Sequence, residues 1–358
     1  MRHDDSSAPE TTRSRRVTVT DVARHAAVDR SVVSRVLTND PRLKVREETR
    51  QRVLSAVREL GYIPNAMARS LRTSHTGTLA LFLPDFANPV YAEIITGAEA
   101  AAAARGYVLM TGSSSTAGGT AEAYLKLLGQ GRVDGLLLAG EALSADAQRA
   151  LSVAGIPHLL LNRRMRGSHR YVTLDDERAA GMAVEHLVEL GHERIAHLAG
   201  PSGADTARRR KAGYLAAMKA AGFPPDSSLV VAADYTPVGG AEGMVTLLRA
   251  DPPPTAVLAA NFVAAIGALS AAWSAGVSVP DELSIVTIHD SPLAGFTVPA
   301  LTAVRMPLQA LGARGVELLL TSPPDAEVTE ILSGPIELVV RSSTAAPAGR
   351  TSRNAGSR

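Results

Sequence analysis

The sequence predicts two unlike parts: an all-α helix-turn-helix head, joined by a hinge to an α/β core of two lobes. Three observations lead there. Residues 17–61 carry apolar side chains at helical spacing in three short blocks, each bounded by capping or stop signals. From Thr78 the pattern changes to short apolar runs alternating with amphipathic stretches, as in repeated strand–helix units. Charge divides at the same place: residues 1–75 hold 15 Lys+Arg against 9 Asp+Glu, net +6, and the rest holds 22 against 26, net −4. A basic head on an acidic body directs the head toward a polyanion. For the charge count alone, a solvated charged face is the bland alternative.

In order along the chain, residues 1–16 are polar and unpatterned and are expected to be a disordered tail, with Arg13, Arg15 and Arg16 near phosphates. Thr18 and Asp21 form a capping-box pair, so a helix should begin there, burying Val19, Val22, Ala23 and Ala26. Ala26-Ala27-Val28 makes a turn. Asp29 then caps a second helix that turns Val32, Val33, Val36 and Leu37 inward and leaves Arg30, Ser31, Ser34 and Arg35 outward. That is the form of a helix-turn-helix, whose second helix enters the major groove. A third helix runs through EETRQRVLSAVRELGY, with Val53, Ala56, Val57 and Leu60 on one face and Gly61 as stop. NAMARSLR follows Tyr62-Ile63-Pro64; too short to be a stable helix alone, it can order on a partner.

VTVTDVARHAAVDRSVVSRVL followed by LGYIPNAMARSLR resembles the lactose/galactose repressor (LacI/GalR) family of bacterial transcription regulators. The order and separation of both motifs match. Ala27 departs from the usual turn Gly, Val32 from a common Thr, and Arg46 from a Ser at a helix start. The resemblance implies binding to a near-palindromic double-stranded DNA operator as a homodimer, or a tetramer. Arg30, Ser31 and Arg35 are assigned to base edges, Thr20 and Ser34 to phosphates. The segment 62–75 becomes a hinge helix in the minor groove, with Asn65, Ala68 and Leu71 on the DNA and Leu71 as an apolar wedge.

In the body, apolar runs such as TLALFLP, DGLLLAG, RIAHLAG and LSIVTIH alternate with helices such as AAGMAVEHLVELG and LQALGARGVELLL. So many strands exceed one comfortable sheet, and two doubly wound subdomains follow. The resemblance extends to about Arg341 and implies a periplasmic-binding-protein-like core spanning 76–341. Its first lobe is placed at 76–176 and 305–325, its second at 177–304 and 330–341. Residues 342–358 are low in complexity and expected to be a disordered tail.

A cleft at the strand ends is the default ligand site. Polar residues just after strands are Asp85, Asn88, Asn162, Arg163, Asp175, Asn261, His289 and Asp290. The resemblance puts Tyr91 and Asn88 of PDFANPVYAEI and Arg210 of an Arg-x-x-Gly-Tyr pattern near the ligand, matches Asn261 to a ligand Asn, and aligns His289 and Asp290 with a strand end that often carries Asp-Asp; with Asp85 and Asn162 from the strand ends, the effector, a sugar or related metabolite, is expected at Asp85, Asn88, Tyr91, Asn162, Arg210, Asn261, His289 and Asp290. Phe262 and His289 replace two carboxylates common in the family, so a simple hexose does not follow. Each has a structural alternative: Arg210 as a surface charge, His289 as a satisfied strand-end histidine, Tyr91 as a core aromatic.

The chain has no Cys, which excludes disulfides and thiolate chemistry. His192 and His197 lack the HExxH spacing and are set aside as metal ligands. Gly200-Pro201-Ser202-Gly203 lacks a nucleotide-loop pattern and reads as a turn. No GxSxG elbow is present, and Glu93, Asp134 and Asp176 show no paired spacing. No catalysis, metal or cofactor is expected. With no signal core or membrane-length apolar run, the expected location is cytoplasmic. The rival readings are a soluble sugar-binding protein without gene regulation, and a sugar-kinase-like enzyme with a fused helix-turn-helix.

Overall fold

The structure is a computed structural model, and it describes residues 17–38, 40–62, 75–113, 132–139, 151, 153, 155–165, 167–224 and 226–348. The chain divides between Thr76 and Gly77 into two compact units.

The first unit contains α1 (Val19–His25), α2 (Arg30–Leu37) and α3 (Glu47–Glu59). The capping box forms as the sequence requires: Asp21 N–H donates to Thr18 Oγ1 at 3.3 Å, and Thr18 N–H donates to Asp21 Oδ2 at 2.9 Å. Asp29 caps α2 through Ser31 N–H at 2.7 Å. The turn between the helices carries Ala27 at φ 50°, a left-handed conformation that suits glycine better than alanine. Arg52 on α3 donates to the Ala26 carbonyl at 2.9 Å and ties that turn to the third helix. Arg46 gives α3 no side-chain cap; Glu47 and Glu48 in its first turn favour the positive end of the helix instead. Val22, Val33 and Val53 are fully buried at the centre.

The second unit holds two six-stranded sheets. The strands of the first are β1 (Thr78–Leu83), β2 (Val108–Ser113), β3 (Gly135–Ala139), β4 (His158–Leu161), β5 (Arg170–Thr173) and β11 (Val328–Ile331), in the order β11-β5-β4-β3-β1-β2, all parallel. The second contains β6 (Ile195–Ala199), β7 (Val230–Ala232), β8 (Ala256–Ala259), β9 (Ser284–Ile288), β10 (Thr302–Arg305) and β12 (Glu337–Val339), in the order β12-β10-β9-β8-β6-β7; only β12 is antiparallel. Among the described residues its helices include α4 (Val90–Ala103), α5 (Asp176–Glu189), α6 (Asp205–Ala220), α7 (Pro237–Leu248), α8 (Phe262–Ser274) and α9 (Leu308–Thr321). α9 returns to the first lobe, where a Cβ on Gly312 would lie 2.1 Å from the Ile94 carbonyl oxygen, so glycine permits the close crossing with α4.

The chain crosses between lobes after β5, after β10 and after β11. Two expected boundaries change. Arg305 closes β10 in the second sheet rather than opening the returning segment of the first lobe. Val328–Ile331 pairs with β5 in the first sheet, so Glu330 and Ile331 belong to that lobe. This edge strand, VTEI, is short and only partly buried, and so lacks the apolar run that marks a central strand. The expected disordered tail also begins too early. Ser343 is fully buried: its Oγ accepts from Thr302 N–H and donates to the Ile285 carbonyl, while Ala345 N–H donates to Ser284. Small hydroxyl residues, read as low complexity, here complete the hydrogen bonding beside β9 and β10.

Candidate functional site

On the head, Arg30, Ser31, Arg35 and Thr20 are exposed and Ser34 is half-buried. Arg35 Nε donates to Asp40 Oδ2 at 2.9 Å, and Asp40 Oδ1 accepts from Arg42 N–H at 2.9 Å, so the loop after α2 orients this guanidinium. Val32, where a Thr is common, packs its side chain against the head core. Asn65, Ala68 and Leu71 lie outside the described residues.

In the second unit a cavity of about 410 Å³ opens where the C-terminal strand ends of both sheets face each other. The first lobe supplies Asp85, Asn88 and Tyr91 after β1, with Asn162 and Arg163 after β4; the second supplies Asp205, Thr206 and Arg210 from α6, Asp234 and Tyr235 after β7, Asn261 after β8 and His289 after β9. Seven of the eight residues expected at the effector line this space. Asp290 does not. Its carboxylate turns away and is held by Arg305 at 2.7 Å and Arg341 at 2.8 Å, because successive residues at a strand end point to opposite sides. Asp175, a candidate on position alone, caps α5 through Arg178 N–H.

Backbone strain gathers here. Of five described non-glycine residues at positive φ, four line the cavity: Asn162 (58°), Asp234 (46°), Tyr235 (56°) and His289 (68°). Such conformations persist where surrounding structure holds them, and they are enriched at binding sites. Asp234, Tyr235, Thr206 and Asp205 were not singled out by the sequence. Their nearest signal was Gly200: a Cβ there would sit 2.2 Å from the Tyr235 ring, so the apparent phosphate loop is a glycine turn making room for an aromatic wall.

Behind the wall is a charged network. Asp176, fully buried, accepts from Arg210 Nε at 2.7 Å and also from Arg209 Nη1. Arg210 donates further to the Ala260 carbonyl at 2.5 Å and to His289 Nε2 at 2.6 Å, and it stacks 5.6 Å over the Tyr235 ring. Arg209 continues to Asp205 at 3.0 Å. Burial, reinforced by the Arg210 charge, pushes the His289 pKa well below its ordinary value. Burial also raises the Tyr91 and Tyr235 phenols, so both stay protonated donors. Asn261 lines the cavity with its side chain already engaged, accepting from Ala264 N–H and donating to the Tyr235 carbonyl. Phe262, where the family often has Asp, is core.

His192 bonds Thr255 and Ser284, and His197 bonds the Leu258 carbonyl and stacks on Tyr214, so both are structural. Among the described residues no group of three or more His, Asp or Glu is placed to hold a metal, and no helix is long and apolar enough to cross a membrane.

Comparison with known proteins agrees with this geometry. Residues 18–65 match the lacI family of bacterial regulatory proteins, and residues 184–344 match a periplasmic binding protein-like domain. The HTH-type transcriptional repressor CytR of Escherichia coli (strain K12) is 33% identical over 334 residues, covering 92% of this chain and 96% of that protein. The lac repressor dimer bound to operator and the anti-inducer ONPF superposes with a TM-score of 0.80 at 28% identity, over 93% of this chain and 100% of that one. A complex of the transcriptional regulator CelR with cellobiose gives 0.70 at 31%, over 92% and 100%. With a capped, basic helix-turn-helix and a two-lobed ligand-sized cavity in one polypeptide, the chain belongs to the LacI family of bacterial regulatory proteins.

Proposed function

We propose that this protein is a repressor that grips a near-palindromic operator as a homodimer and is released or engaged by a small molecule in its two-lobed cavity. The observation that carries the reading is the pairing of an exposed Arg30–Ser31–Arg35 edge on a properly capped second helix with a strained, polar-lined cavity in a separate unit. Arg30, Ser31 and Arg35 read base edges, Thr20 and Ser34 hold phosphates, and residues 62–75 supply a hinge whose Leu71 wedges a central base step. The body binds rather than transforms its ligand, a sugar or related metabolite, and the protein works in the cytoplasm, where its operator lies.

The direct test is fluorescence anisotropy on fragments of the host genome, with and without candidate metabolites. A preferred fragment should emerge, its affinity should fall steeply with salt as counterions are released, and a ligand should change it by about 5–150-fold. Leu71→Ala should weaken operator binding while leaving ligand affinity unchanged. Equal affinity for every fragment and a flat salt response would reject the reading. Incubation with ATP and sugars should yield no product.

A further inference from the structure

The two arginines of α2 are not equivalent. Arg30 has no side-chain hydrogen-bond partner among the described residues, whereas Arg35 is held: its Nε donates to Asp40 Oδ2 at 2.9 Å, and its Nη1 and Nη2 are left without a partner there. Asp40 is itself fixed by three further hydrogen bonds. Its N–H donates to the Arg35 carbonyl at 3.0 Å, its carbonyl accepts from Leu43 N–H at 3.0 Å, and its Oδ1 accepts from Arg42 N–H at 2.9 Å. Pro41 stiffens the turn between them, and Leu43 packs against the head core. The Arg42 N–H, and after it Arg35, hold the Asp40 carboxyl below its ordinary pKa, so it is ionised.

Stability does not account for the pair. Its side chains are 45% and 26% exposed, and an ion pair so open to water contributes little to folding. What it changes is geometry. A free arginine can turn equally to a phosphate or a base, but with Nε anchored the edge left to donate is Nη1–Nη2, whose parallel N–H groups match the O6 and N7 acceptors of guanine. The side-chain freedom is given up in the unbound protein rather than on the DNA, which favours the one contact that fits. The Asp40 charge acts the other way, since a carboxylate beside a polyanion weakens binding to every sequence. A residue that lowers affinity everywhere and sharpens one contact serves selection.

We propose that Asp40 is a positioning residue for base readout: it aims the Nη1–Nη2 edge of Arg35 at a single guanine in each half-site and, through its own charge, weakens binding to all other DNA. This rests on the head reading an operator through Arg35.

The test uses the full chain and a double-stranded DNA library randomised over about 20 base pairs, enough for two half-sites a helical turn apart. Anisotropy on the selected duplex, on its single-base changes and on a scrambled duplex then gives the discrimination at each position. In wild type one position of each half-site should demand guanine, any other base costing about tenfold or more in affinity. Arg35→Ala should abolish that demand and so identify the position. Asp40→Asn keeps the Oδ1 bond to Arg42 N–H but turns an N–H toward Arg35 Nε. The guanine preference at that position should then fall below about threefold while the other positions hold theirs. The scrambled duplex should bind about twofold tighter or more, because a negative charge is lost. Asp40→Ala should give the same pattern, and Asp40→Asn added to Arg35→Ala should cost nothing further at that position. A loop that merely supported the fold would instead lose affinity evenly across positions and speed amide exchange in α2. Even losses in either Asp40 variant, an intact guanine preference in both, a scrambled duplex bound no tighter, or an Arg35→Ala loss spread over all positions would each overturn the proposal. A wild-type chain that selects no sequence removes the operator reading and this inference with it, whereas one that selects a site and keeps its guanine preference in both Asp40 variants loses only the inference.

Discussion

Replacing Asp176 by Asn perturbs the most tightly held part of the cavity wall. Asp176 opens α5 with no exposure to solvent and serves two guanidinium groups, Arg210 at 2.7 Å and Arg209. Asn keeps the shape and removes the charge, and however its amide turns, an N–H faces one of the two guanidinium groups. Arg209 and Arg210 are then left as adjacent buried cations, 6% and 3% exposed, without a shared counter-ion. Removing one partner of a buried ion pair costs about 3–5 kcal/mol, because the remaining charge stays desolvated. At about 2–4 °C per kcal/mol the body should melt roughly 6–20 °C lower in scanning calorimetry. Asp290→Asn is the control. Its partners Arg305 and Arg341 are 53% and 19% exposed, and both can reach water, so the loss should be smaller. A melting temperature within 2 °C of wild type for Asp176→Asn would refute the reasoning and reduce the network to a surface feature.

Three other outcomes follow from particular residues. Ala27→Gly relieves an exposed left-handed alanine in the head turn and should stabilise the head by about 0.5–1 kcal/mol, slowing its amide exchange about two- to fivefold; unchanged exchange would mean that the turn is unstrained. His197, buried against Tyr214, has its pKa pushed down to about 4 from 6.5, so the unfolded chain binds more protons between those values and stability falls as pH drops through that window. The loss from this residue reaches roughly 3 kcal/mol at pH 4, and the melting temperature of His197→Phe, which keeps the ring stacking, should depend less steeply on pH than wild type. Arg35→Ala should leave head stability nearly unchanged, because its pair with Asp40 is exposed, yet lower operator affinity by about 1–3 kcal/mol and abolish preference at one base pair; a uniform loss across sequences would reassign Arg35 to phosphate.

How much of this was legible beforehand depended on how local the signal was. The head was almost wholly legible, since caps and spacing act within a few residues: Thr18 with Asp21, Asp29 before α2, and Gly61 at φ 61° all stand where the pattern required them. The cavity was legible where a polar residue directly follows a strand, as with Asn162 and His289. It was not where long-range packing decides. Nothing near Asp234-Tyr235 reveals that Gly200 leaves space for the tyrosine ring, and nothing near Asp290 reveals that Arg305 and Arg341 draw its carboxylate away. The edge strand Val328–Ile331 and the buried Ser343 were missed because their partners lie more than 40 residues away along the chain.

The hydrogen bonds between the lobes indicate what a ligand has to do. Arg209, Arg210, Asp176, Asp205 and His289 are bonded mainly to one another within the second lobe, so that half of the cavity is set before any ligand arrives. The first lobe contributes shorter-range loop contacts, Asp85 to Ala87 N–H and Asn88 to Val90 N–H, and its Arg164 N–H donates to Asp205 of the second lobe at 2.9 Å. A hydrogen bond to a charged group contributes about 1.5–3 kcal/mol, and coupling between ligand and operator sites commonly amounts to about 1–3 kcal/mol. The two ranges overlap. An effector that strengthens or displaces the Arg164–Asp205 link therefore has enough free energy to bias lobe orientation, provided that it binds the two arrangements unequally.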